Sequence, residues 1–153
     1  MRKYFFIFFV LISAINANAE TQLIQNNNAM LFVSLGMPTL TLQQYVVQSH
    51  QYHIPLILRG LLNNHYPETA KRIFDILHPS NTKPITGGFE IDPLYFRKFQ
   101  INEVPALVIQ ENGQYSVIYG NAPIQKLLYL ITTKSKNASI KNEAAQYLEN
   151  NHV

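Results

Sequence analysis

Three short apolar runs, Ala29–Leu35, Ile54–Leu58 and Val104–Ile109, set the tightest limit on how this chain can fold. Each is too short for an ordinary helix, is β-branched or aromatic in part, and ends at turn-forming residues, the pattern of a buried strand. Gly36 and Pro38 close the first run and Gly60 bounds the second, whose Pro55 sits near the start, where a strand tolerates it. After the third, Glu111-Asn112-Gly113-Gln114 reads as a hairpin turn into a further strand, Tyr115–Tyr119. Between the first two runs, Leu42, Tyr45, Val46 and His50 recur at three and four residues, which predicts a helix begun by Pro38 and capped by Thr39 or Thr41. Strand, helix and strand in that order require a parallel pair with a right-handed crossover.

A second helix is expected after Asn63–Pro67, with Ala70, Ile73, Phe74 and Leu77 as its buried stripe and Pro79 as its stop. Ser80–Thr86 is a loop by its turn formers, and Phe89-Glu90-Ile91 a brief extended piece. Asp92 then caps a short helix from Pro93 to about Phe99, partly buried through Leu94, Phe96 and Phe99. The last long helix starts near Asn121–Pro123 and buries Ile124, Leu127, Leu128 and Ile131. Residues 134–153 form a polar tail in which Ala144, Ala145 and Leu148 predict a loosely docked helix.

The N-terminus bears on compartment. Arg2 and Lys3 precede an apolar run from Tyr4 to Ile15, and Ala17-Asn18-Ala19 offers small residues where a signal peptidase reads, so residues 1–19 are expected to be a secretory signal cleaved after Ala19. The run has 12 residues, whereas a bilayer span needs roughly 20. Residues 20–28, polar and rich in Asn and Gln, read as a flexible lead-in to a single domain over 29–133. Removing the signal takes two of the 12 basic residues and leaves ten against nine acids, scattered rather than clustered, so bulk charge gives no reason to expect direct nucleic-acid contact. No later run reaches bilayer length, so the mature chain is expected to have no transmembrane segment.

The chain contains no cysteine, which excludes disulfide stapling and thiol catalysis together. Gly-x-Ser-x-Gly, phosphate-loop and His-Glu-x-x-His motifs are also missing. His50 and His53 are three apart, while His65 and His78 fall at opposite ends of the second helix, a poor arrangement for the three-ligand site of a zinc hydrolase.

The order of elements resembles the thioredoxin-like fold, an α/β three-layer sandwich whose central mixed sheet of about four strands is flanked by helices. That resemblance puts Val104-Pro105 where the fold keeps a cis proline, and Met37-Pro38-Thr39-Leu40 where redox members carry their cysteine pair. Thiolate chemistry needs a sulfur nucleophile at the helix start, and Met37 and Leu40 supply none.

The segments "FVSLGMP", "IPLILRGLLNN", "GGFEIDPLYFRKFQINEVPALVI" and Gly120–Leu130 together resemble the F-type TrbC family, the pilin assembly proteins of type-F conjugative transfer systems. The resemblance covers about Met30 to Ile131 and implies a non-enzymatic periplasmic factor of a type IV secretion machine. It implies no cofactor and no metal, and partners among other pilus-assembly proteins, notably TraW-like ones.

The candidate partner-binding residues are Met37, Pro38, Arg59, Val104 and Pro105. An extended peptide would pair with the backbone at Val104 beside the start of the first helix, and the flexible thioether of Met37 would touch it. Against these stand plain packing for Met37 and Val104, and for Arg59 a buried ion pair with Asp92 or Glu90. A redox-inactive thioredoxin-like chaperone and a metal-dependent hydrolase are the alternative functions.

Overall fold

The structure is a computed structural model that describes residues 28–80 and 82–150. The expected signal peptide and all of the lead-in except Asn28 lie outside the described residues.

The three apolar runs become the centre of one sheet. β1 (Ala29–Val33), β2 (Leu56–Leu58) and β4 (Ala106–Glu111) are joined by a two-residue strand, β3 (Glu90–Ile91), and by β5 (Gln114–Tyr119), in the order β3-β2-β1-β4-β5. β1 runs parallel to β2 and β2 to β3, whereas β1–β4 and β4–β5 are antiparallel. Four of these strands reproduce the sheet expected of a thioredoxin-like sandwich. The fifth, β3, is the brief extended piece expected at Phe89–Ile91, which joins the sheet as an edge strand with both its residues exposed.

Five helices complete the chain: α1 (Thr39–Tyr52), α2 (Tyr66–Leu77), α3 (Pro93–Lys98), α4 (Ile124–Lys134) and α5 (Ala138–Glu149). Alternate residues of the central strands point to opposite faces and both faces are covered, which is why the runs are apolar without a break. On one face, Leu31, Val33, Leu56, Leu58, Leu107 and Ile109 pack with Leu42, Val46, Ile76, Leu128 and Ile140. On the other, Met30, Phe32, Ile57, Ala106 and Val108 meet Phe96, Phe99 and Ile101 from α3 and its exit. The rings of Phe32 and Phe96 lie edge to face at 4.8 Å, a favoured aromatic geometry.

Local chemistry sets the element ends. Asp92 Oδ1 accepts from the backbone of Leu94 (2.8 Å) and Tyr95 (3.2 Å), capping α3 as its sequence predicts. Asn112 and Gly113 both take positive φ, 51° and 76°, which makes the two-residue turn between β4 and β5. Gly87 has φ 141°, and a Cβ there would lie 2.6 Å from Val46 Cγ1, so only glycine fits where the α2–β3 connection crosses α1.

Several expectations are corrected. Neither Thr39 nor Thr41 caps α1: Pro38 holds that place, and Thr39 Oγ1 accepts from Arg72. His50 is exposed, and Ser49 and Tyr52 complete the buried side of α1. The α2 stripe is rotated, with Thr69 and Ile76 buried, Ile73 and Leu77 partly so, and Ala70 and Phe74 exposed. Phe74 instead stacks on His78, ring centroids 4.0 Å apart. Leu94 is likewise exposed. Asn28 is pinned: its amide donates to Glu111 (2.9 Å) and Glu143 (3.1 Å), and its carbonyl accepts from Gln110 N. α5 is no loose helix either, since Ile140 and Ala144 are fully buried and its start is capped by Asn137.

Candidate functional site

β1 and β2 are parallel, so both deliver their C-terminal ends to the same edge of the sheet, where α/β folds place their ligands. From β1 the chain enters a tight loop in which Met37 N donates to Ser34 O (3.0 Å) and Gly36 N to Ser34 Oγ (3.2 Å). A side chain from α2 closes this loop. Arg72 donates through Nε to Leu35 O (3.1 Å), through Nη2 to Met37 O (3.0 Å) and through Nη1 to Thr39 Oγ1 (2.8 Å). The planar guanidinium thus ties two backbone carbonyls and one hydroxyl, on alternate residues, across the site where redox members of the fold carry thiols.

Beside this loop lies a groove of about 500 Å³. One wall is Val33, Ser34 and Leu35; the segment from Leu58 to Asn64 forms another, and Phe96, Asn102 and Val104 complete it. Val104-Pro105 is cis. The Pro105 carbonyl accepts from Gly120 N at 3.1 Å, whereas the backbone of Val104 has no hydrogen-bond partner among the described residues.

Of the five residues singled out from the sequence, Arg59 and Val104 meet in this groove. Pro105 adjoins it through its bond to Val104. Met37 and Pro38 are not among the walls: Met37 is half-buried against the main core, and Pro38 serves as the N-terminal boundary of α1. Val104 also packs partly on Met30 and Phe32 through the second core cluster, so it combines a packing role with an open backbone.

Arg59 makes neither of the ion pairs expected of it. It is exposed, its Nη2 donates to Ile101 O at 2.6 Å, and its guanidinium carbon lies 4.9 Å from the centre of the Phe96 ring. Asp92 is engaged with the start of α3 instead. The sequence reading missed Phe96 and Asn102 as groove residues, and it missed Arg72 altogether. The available signal for Arg72 was a cation at i+3 from Thr69 and i−4 from Ile76, on the buried side of α2.

Elsewhere, His50 and His53 line a cavity of about 390 Å³ with Glu90. Among the described residues no three His, Asp or Glu side chains are placed to share a metal ion. Two phenols are displaced from their ordinary range: burial pushes Tyr45 up, and burial together with the negative charge of Glu143 pushes Tyr147 up. Both lie outside the groove.

Residues 31–133, which run from β1 through α4 and include every wall of the groove, match the profile of a family described as type-F conjugative transfer system pilin assembly protein. The chain belongs to that family. A relative from Escherichia coli (strain K12), described as periplasmic protein TrbC, is 32% identical over 100 residues, covering 65% of this chain and 45% of its own length. The chain therefore matches less than half of that relative. No solved structure matches. The family is one of pilin assembly proteins of type-F conjugative transfer systems. No helix among the described residues is long and apolar enough to cross a membrane.

Proposed function

We propose that this member of the pilin assembly family is a non-enzymatic periplasmic factor that acts by holding a neighbouring assembly protein in the groove at the ends of β1 and β2. The observation that carries the reading is the open backbone of Val104, at the wall of a groove whose opposite loop contains no thiol and is tied down by Arg72. Extended segments join such unpaired N–H and C=O groups as an added strand, with pockets for alternate side chains giving selectivity. TraW-like proteins are the partner class we put first. Export with cleavage after Ala19 is supported by the short apolar run before Ala17-Asn18-Ala19 and by the periplasmic description of the relative.

Gly60 offers a direct test. It lines the groove, and a Cβ added there meets nothing within 4 Å, so Gly60→Trp starts a bulky side chain in the groove without a clash at its Cβ. Deleting the gene is expected to abolish pili and plasmid transfer, and the Gly60→Trp protein is expected to be as heat-stable as wild type yet unable to restore transfer. Normal transfer from the deletion strain rejects the assembly role. Full restoration by a stable Gly60→Trp protein rejects the groove.

A further inference from the structure

We propose that the occupant of the groove is an extended segment anchored by an acidic side chain, with Arg59 as the residue that receives the carboxylate. This rests on the groove reading above. A guanidinium carries five N–H donors in a fixed fork, and among the described residues Arg59 makes one hydrogen bond, to Ile101 O. That contact and the Phe96 ring at 4.9 Å hold the group in one orientation, so its other donors are presented with little ordering left to be done.

The surroundings choose the sign of the ligand. A second cavity, about 430 Å³, adjoins the groove through Arg59, Phe96 and Asn102 and adds Arg97 and Gln100 to its walls. Neither cavity has an aspartate or glutamate among its walls. The carboxylates next to the walls are Glu68, which accepts from Asn63 Nδ2 at 3.1 Å, and Glu103, which stands between Asn102 and Val104 in the chain; neither is itself a wall. Among the walls an entering chain therefore meets two guanidiniums and four side-chain amides, and no carboxylate. That favours a carboxylate, leaves an amide indifferent and opposes a lysine.

The rest of the groove argues for a polypeptide rather than a small anion. Val33, Leu35, Leu58 and Val104 form an apolar wall, and the backbone of Val104 is unpaired. A lone anion uses neither. A segment reading apolar–acidic–apolar uses the guanidinium, the wall and the strand edge together.

The test is a titration of ¹⁵N-labelled protein with three blocked tripeptides, acetyl-Leu-Asp-Leu-amide and its Asn and Lys counterparts, followed by backbone amide shifts. The Asp peptide is expected to move the amides of Ser34, Leu35, Asn102 and Val104 and to bind about three- to fivefold more tightly than the Asn peptide, the scale of an exposed ion pair. Added salt and Arg59→Gln should each erase that preference, while Arg59→Lys, which keeps the charge without the fork, should retain part of it. Equal binding of the three peptides in the groove overturns the carboxylate requirement and leaves the groove reading standing. Shifts confined to another surface, or none with any peptide, overturn both.

Discussion

Replacing Arg72 by methionine keeps an unbranched apolar stem on α2 and removes the three donors that tie down the β1–α1 loop. A hydrogen bond from a charged donor contributes roughly 1.5–3 kcal/mol when shielded. Arg72 is only half-buried, so about 1 kcal/mol for each bond is the appropriate scale, or about 3 kcal/mol in all. For a domain of this size that is a fall in Tm on the order of 10 °C. Urea unfolding followed by far-UV circular dichroism measures it directly, and an unchanged slope against denaturant would show that the unfolded state is unaffected. Arg72→Lys separates charge from geometry: an ammonium cannot serve three acceptors in a plane, so it should recover no more than about a third of the loss. If Arg72→Met unfolds within about 1 kcal/mol of wild type, or if the lysine variant is fully stable, the loop is held by something other than this fork.

Three further outcomes follow from the packing. Gly87→Ala forces a Cβ against Val46 Cγ1 at a φ of 141° and should cost about 2–4 kcal/mol in thermal unfolding; a neutral substitution would mean that this crossing is soft. Ile140→Ala empties a fully buried position and should cost about 2–4 kcal/mol, whereas a loss near zero would show that α5 is not part of the core. The folded state holds the Tyr45 phenol above its ordinary value through burial. Its contribution is complete below the unfolded phenol pKa of roughly 10 and is lost as pH rises through the folded value. Denaturant midpoints measured between pH 8 and 11 should therefore fall less steeply for Tyr45→Phe, with Tyr147 supplying the remaining slope; identical slopes would refute the assignment.

The parts of this fold that were legible in the sequence are those governed by local chemistry. The runs at Ala29–Leu35, Ile54–Leu58 and Val104–Ile109 gave the strands, Asp92-Pro93 gave a cap, and Asn112-Gly113 gave a turn. The parts that were not depend on distant partners. The extended piece at Phe89–Ile91 was legible, but its place as β3 beside β2 was not, since both strand residues are exposed and only the edge of β2 recruits them. Ala70 and Phe74 look like core on a helical wheel, yet α2 is rotated so that Thr69 and Arg72 reach the chain around Leu62 and Leu35. Arg59 has carboxylates nearby in sequence, but its partner is a carbonyl 42 residues away. In the site itself, the resemblance pointed to Val104-Pro105 as the place of a cis bond, whereas no local pattern showed that Arg59 would line the same groove as Val104 or that Met37 would pack half-buried against the core.

The loop at the head of α1 is fastened by nitrogen and oxygen alone, with a guanidinium where related folds put sulfur. Its outline therefore depends on no thiol–disulfide couple: thiol reagents and disulfide reductants have nothing there to act upon. Protein prepared in a reducing cell interior should consequently carry the same contact surface as protein that has met an oxidising one, and no refolding through mixed disulfides stands between the two.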